Sequence, residues 1–102
     1  MNTRRAIFAA LALAVIPTAA SAQDFANGLS AYQSGDFETA VQEWRQLAEQ
    51  GDARAQLGLG IMYSDGEGVP EDDAEAVRWY RLAADQGDAN AQANLGYMYE
   101  NG

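Results

Sequence analysis

Apolar side chains recur at helical spacing through most of this chain. Phe25, Leu29 and Tyr32 stand at i, i+4 and i+7 and predict a short helix over residues 24–33. Phe37, Ala40, Val41, Trp44 and Leu47-Ala48 stripe a second helix over 37–50, and Asp36 is placed to cap it by accepting hydrogen bonds from its free first-turn N–H groups. A third helix, over 53–64, contains Gly58 and Gly60, each of which costs about 1 kcal/mol relative to alanine in a helix interior. That cost implies a close helix crossing, with Gly60 expected beneath Trp79 or Tyr80 of the partner helix. A fourth helix over 73–86 turns Ala76, Val77, Tyr80, Ala83 and Ala84 inwards and leaves Arg78, Arg81 and Asp85 mostly solvated. The fifth, over 89–100, repeats the third.

The repetition is internal and has a period of 36 residues: Asp52 to Gly66 and Asp88 to Gly102 share nine identities in fifteen positions. The same register reaches upstream, where Ala40-Val41, Arg45, Ala48 and Gln50-Gly51 precede Ala76-Val77, Arg81, Ala84 and Gln86-Gly87. A repeat in the range of about 20 to 50 residues predicts a solenoid or a propeller, and helical hairpins fall near this length. Gly51-Asp52 and Gly87-Asp88 form economical connectors: the glycine takes the positive φ that ends one helix and the aspartate caps the next. Between the third and fourth helices, Asp65-Gly66-Glu67-Gly68-Val69-Pro70 reads as a loop with Val69 pointing inwards, and Asp72 with Glu75 as an acidic capping box.

Composition narrows the chemistry. The chain has no cysteine and no histidine, which removes disulfides, thiol nucleophiles and the commonest general base and metal ligand. All 15 acidic side chains lie after Gln23, against four basic ones there, Arg45, Arg54, Arg78 and Arg81, for a net charge of −11 over that part. A field of that sign repels nucleic-acid and anionic lipid phosphates, and is easier to reconcile with a basic or neutral partner.

Residues 1–22 read as a secretory signal peptide. Arg4 and Arg5 supply a positive start, Ala6 to Ile16 an apolar run of eleven residues, and Ala20-Ser21-Ala22 a small-x-small cleavage site. The run is shorter than the roughly 20 residues of a membrane span. The expectation is a periplasmic or secreted product of a bacterium, with cleavage after Ala22 and no membrane association afterwards.

The pattern Ala53-x-Ala55-Gln56-x-x-x-Gly60-x-Met62-Tyr63-x-x-Gly66-x-Gly68-Val69, followed by Ala76-x-x-Trp79-Tyr80-x-x-Ala83-Ala84-x-Gln86-Gly87, resembles a complete Sel-one-like repeat, a relative of the tetratricopeptide repeat. The resemblance implies an all-α, right-handed superhelix of antiparallel helix pairs and a role in protein–protein interaction as adaptor or scaffold, without a cofactor. On this reading residues 23–51 form an atypical capping hairpin, 52–87 a complete repeat, and 88–102 the first half of another. Leu95, Met98 and Tyr99 would lack a covering helix, which suggests a truncated product, a fragment, or self-association through that helix.

Positions that differ between copies are candidates for partner contact. Arg54/Asn90, Leu57/Ala93, Gly58/Asn94 and Ile61/Tyr97 fall at i, i+3, i+4 and i+7, one helix face. The first helix of each pair lines the concave surface in the superhelices that the chain resembles, so Arg54, Leu57, Ile61, Asn90, Asn94 and Tyr97 are the expected face for a protein or peptide. Exposed positions also drift without function, so the same pattern fits neighbouring hairpins that merely differ. The six carboxylates between Asp65 and Glu75 lack the alternate spacing of a calcium-binding loop and read as a solvated loop with a helix cap, so no metal site is expected. Trp44, Trp79, Tyr80 and Tyr63 read as core rather than as a sugar-binding platform. The competing function is an exported hydrolase or carbohydrate-binding protein acting on cell-wall material.

Overall fold

The computed structural model describes residues 19–101 and contains five helices there: α1 (Ala19–Gln33), α2 (Phe37–Glu49), α3 (Ala53–Asp65), α4 (Asp73–Asp85) and α5 (Ala89–Asn101). Boundaries of the last four agree with the apolar periodicity to within a residue. Helix α1 begins at Ala19 rather than near Asp24 and so runs through the expected cleavage point at Ala22; the positive and apolar parts of the expected signal segment lie outside the described residues.

Each helix packs principally on its sequence neighbours, α1 on α2, α2 on α3, α3 on α4 and α4 on α5. The result is an all-α, solenoid-like stack of antiparallel pairs. One turn design sets three of the four reversals. The backbone N–H of Asp36, Asp52 and Asp88 bonds the carbonyl oxygens of Ala31, Leu47 and Ala83 at 2.8, 3.0 and 3.2 Å, closing a six-residue cap around Gly35, Gly51 and Gly87 at φ of +85°, +102° and +96°. Each aspartate then accepts from the first turn of the next helix: Asp36 from Thr39 N at 3.3 Å, Asp52 from Arg54 N at 2.9 Å, and Asp88 from Ala91 N at 2.8 Å. Two residues thus satisfy the end of one helix and the start of the next. At α4, Asp72 accepts from Glu75 N at 3.1 Å. Only half of the expected capping box forms, because Asp72 N bonds Tyr63 O at 2.9 Å and the Glu75 carboxylate turns to Arg78 at 2.6 Å.

The core lies between α2, α3 and α4: Ala40, Val41, Trp44, Leu47, Ala48, Ala55, Leu59, Met62 and Trp79 are all buried. Trp79, expected in the core with Trp44 and Tyr80, is 3% exposed. Recurring residues make recurring contacts. Arg45 Nη2 donates to the Tyr63 hydroxyl at 2.9 Å, and 36 residues on Arg81 donates to the Tyr99 hydroxyl. Gln56 Nε2 donates to Ala48 O at 3.1 Å, as Gln92 Nε2 does to Ala84 O at 3.2 Å. Gln56 is buried, and its carbonyl accepts from Gln86 at 2.9 Å, so both ends of the amide are satisfied.

The two helix glycines of α3 are explained by aromatic rings. A Cβ on Gly58 would stand 2.6 Å from Trp44 Cε3, and one on Gly60 would stand 2.5 Å from Tyr80 Cδ1. Tyr80, one of the two aromatics expected over Gly60, is the one that lies there. Gly96 holds the same place in α5 and has nothing within 4 Å, while Tyr97 and Tyr99 are 66% and 60% exposed. The α5 face that the repeat pattern leaves uncovered is open.

These crossings predict opposite outcomes for one substitution. Gly60→Ala should lower stability by about 1–3 kcal/mol, because the buried ring must shift, whereas Gly96→Ala should raise it by up to about 1 kcal/mol through helix propensity alone. Urea unfolding midpoints at constant m-value compare the two; a stabilised Gly60→Ala protein would remove the close crossing from the account.

Candidate functional site

Two adjoining hollows open between successive first helices of the stack. The first, about 200 Å³, lies between α1 and α3 and is lined by Phe25, Leu29 and Tyr32 on one side and Arg54, Leu57, Gly58 and Ile61 on the other, with Trp44 of α2 as its floor. The second, about 260 Å³, lies between α3 and α5; Ile61, Ser64 and Asp65 face Asn94, Tyr97 and Met98, and Tyr80 of α4 forms its floor. Ile61 belongs to both and joins them into one trough. Trp44 and Tyr80 are 36 residues apart, so the same repeat position supplies both floors.

The first floor is tightly held. Trp44 Nε1 donates to Phe25 O at 3.2 Å, and the indole stacks on Phe25 and Tyr32 with ring centres 5.4 and 5.8 Å away. That approach needs Gly28 on α1 as well as Gly58 on α3, since a Cβ at either would collide with the indole. Arg54 closes one end: its guanidinium binds Asp52 at 2.7 and 3.1 Å and lies 4.5 Å from the centre of the Phe25 ring. Partial burial pushes the Asp52 carboxyl up, but the hydrogen bond and charge of Arg54, with the N–H groups of Arg54 and Ala55, outweigh it and hold the pKa below the ordinary aspartate value. In the second hollow, burial pushes the Tyr80 phenol up, its hydroxyl facing Ser64 and Asn94 near Asp65.

Five of the six residues singled out from the repeat comparison line this trough: Arg54, Leu57 and Ile61 in the first hollow, and Ile61, Asn94 and Tyr97 in the second. Asn90 is exposed at the start of α5 and lines neither hollow. The repeat comparison missed the α1 wall, because Phe25, Leu29 and Tyr32 read simply as one apolar face. In the structure Phe25 and Tyr32 pack on Trp44 while Leu29, 37% exposed, opens into the hollow. The lining is apolar in the first hollow and mixed in the second, where Ser64, Asp65, Tyr80 and Asn94 stand beside Ile61 and Met98.

Residues 53–88 and 89–102 match the family model described as Sel1 repeat. These are Sel1 repeats. A crystal structure of a Sel1 repeat protein from Oxalobacter formigenes superposes with a TM-score of 0.66 at 36% identity, over 79% of this chain and 37% of that one. Two relatives named as exopolysaccharide production negative regulators, from Rhizobium leguminosarum bv. viciae and Rhizobium meliloti (strain 1021), are each 44% identical over 52 residues, about half of this chain. The chain spans 20% and 19% of the lengths of those relatives. The first Sel1 match spans α3 and α4, and the second spans α5.

The Asp52–Arg54 pair gives a pH-dependent prediction. A carboxyl whose folded pKa is depressed contributes stability that is present above its unfolded pKa, near 3.9, and is lost as pH falls through the folded value. Arg54→Gln should therefore move the Asp52 titration, followed by carboxyl NMR, to higher pH and shift the acid-unfolding midpoint the same way. An unmoved Asp52 titration would show that the backbone N–H groups alone hold it down.

Proposed function

We propose that this chain is an exported, non-enzymatic adaptor that captures a protein or peptide partner along the trough formed by α1, α3 and α5. The observation that carries the reading is the agreement between two independent patterns. In α3 the varying Arg54, Leu57, Gly58 and Ile61 line the trough, as Asn94 and Tyr97 of α5 do, while the recurring Ala55, Gln56, Leu59 and Met62 of α3 are buried behind it. Export rests on the n-region, apolar run and cleavage pattern of residues 1–22. The regulatory role named for the rhizobial relatives is one that a binding module can serve, and only that mode of action is extended to this chain.

The carbohydrate reading draws less support. A sugar platform needs a flat aromatic face open to solvent, and Trp44 and Trp79 are 4% and 3% exposed.

Selection of peptides from a random display library on the immobilised full chain tests the adaptor reading. Binding of the selected peptides should weaken about tenfold or more in a Leu57→Ser, Ile61→Ser variant that keeps its helical circular dichroism. Selected peptides that bind the variant equally well would place the partner elsewhere, and accelerated cleavage of a cell-wall fragment by the wild-type chain would overturn the non-enzymatic reading.

A further inference from the structure

The trough has a chemical direction. At one end the hollow over Trp44 is walled by Phe25, Leu29, Leu57 and Ile61. At the other, the second hollow contains Asp65 and runs on, through shared Ser64, Tyr97 and Met98, into a third of about 190 Å³ walled by Glu71 and Asp73. All three carboxylates are exposed. Among the described residues the ion pairs are Arg54–Asp52 and Arg78–Glu75, and neither involves these three. The two other described cations, Arg45 and Arg81, are turned to Tyr63 and Tyr99. One end therefore offers an apolar hole and the other a set of uncompensated negative charges, on a chain whose net charge is −9.

Resting on the adaptor reading, we infer that the trough takes an extended basic peptide segment that places a large apolar side chain over Trp44 and a lysine or arginine at the Asp65–Asp73 end. The spacing follows from α3. Leu57, Ile61 and Asp65 lie at i, i+4 and i+8 on one stripe, and eight residues of helix rise about 12 Å. An extended peptide covers that span in about four residues at roughly 3.3 Å each. The recognition element is an apolar anchor followed or preceded, about four positions away, by a cation. Acidic segments are rejected at the same end by like charge.

Fluorescence anisotropy on the full chain tests this with a fluorescein-labelled Gly-Ser decapeptide that carries one Phe and, four residues on, a Lys-Arg pair. Two comparison peptides replace the Phe with Ser or the Lys-Arg with Glu-Glu. The Phe/Lys-Arg peptide should bind, each replacement should weaken binding about tenfold or more, and added salt should weaken the parent peptide toward the Glu-Glu one. An Asp65→Asn, Asp73→Asn variant should lose about fivefold for the Lys-Arg peptide and little for a Lys-free one. If that variant loses its helical signal, the peptide replacements and the salt series on the wild-type chain decide instead. Equal binding of the Glu-Glu peptide, salt-independent binding, or no binding of the parent peptide overturns the inference. Library peptides that depend on Leu57 and Ile61 yet carry no cation overturn it while leaving the adaptor reading in place; a library with no Leu57- and Ile61-dependent peptides removes both.

Discussion

The approach of an aromatic ring to a helix backbone, closer than any side chain would allow, is the constraint on which the rest of this structure depends. Trp44 reaches Gly28 on one side and Gly58 on the other, so a single indole from α2 fixes the separation of α1 and α3. Its N–H hydrogen-bonds the Phe25 carbonyl at 3.2 Å, which sets the rotation of the ring as well as its depth. Tyr80 does the corresponding work one repeat later, over Gly60. Because the same rings floor the trough, the packing that holds the stack together also determines the depth and spacing of the surface it presents. Glycines that weaken α3 as an isolated helix are compensated by burial of two large aromatic side chains, a favourable exchange given how much apolar area each removes from water.

Much of this was legible in the sequence because repetition acts as an internal control. Several residues identical at a spacing of 36 make identical contacts, as for Arg45 with Tyr63 and Arg81 with Tyr99, or Gln56 and Gln92 on the ends of the preceding helices. The helices themselves were readable from period and caps, since Gly and Asp each have a local physical reason to stand where they do. What resisted reading was information held between elements rather than within them. The α1 wall of the trough was invisible because an apolar face gives no sign of which part is covered by a neighbour and which part is left open. Glu75 went to Arg78 rather than closing a capping box, a choice between two partners that the spacing alone permits equally.

The charge pattern acquires meaning only on the folded chain. In sequence, Asp65, Glu71 and Asp73 belong to an acidic stretch that reads as a solvated loop and helix cap. In three dimensions the loop returns beside α5, and its carboxylates stand at one end of a trough whose other end is apolar. Variable positions, floor aromatics and unpaired charge thereby coincide on one surface, although they come from separate stretches of the chain.

Stacking by neighbours alone also governs how this chain acquires its structure. Every principal helix contact joins elements adjacent in sequence, so no long loop must close before a contact forms, and the ordering entropy is recovered locally as each helix is added. The α3–α4 hairpin, which contains the Gly60–Tyr80 crossing, is the natural seed, and growth in either direction adds one interface at a time. The acidic end of the trough draws on both α3 and α5, so a ligand bridging the two would act as a clamp as well as a passenger.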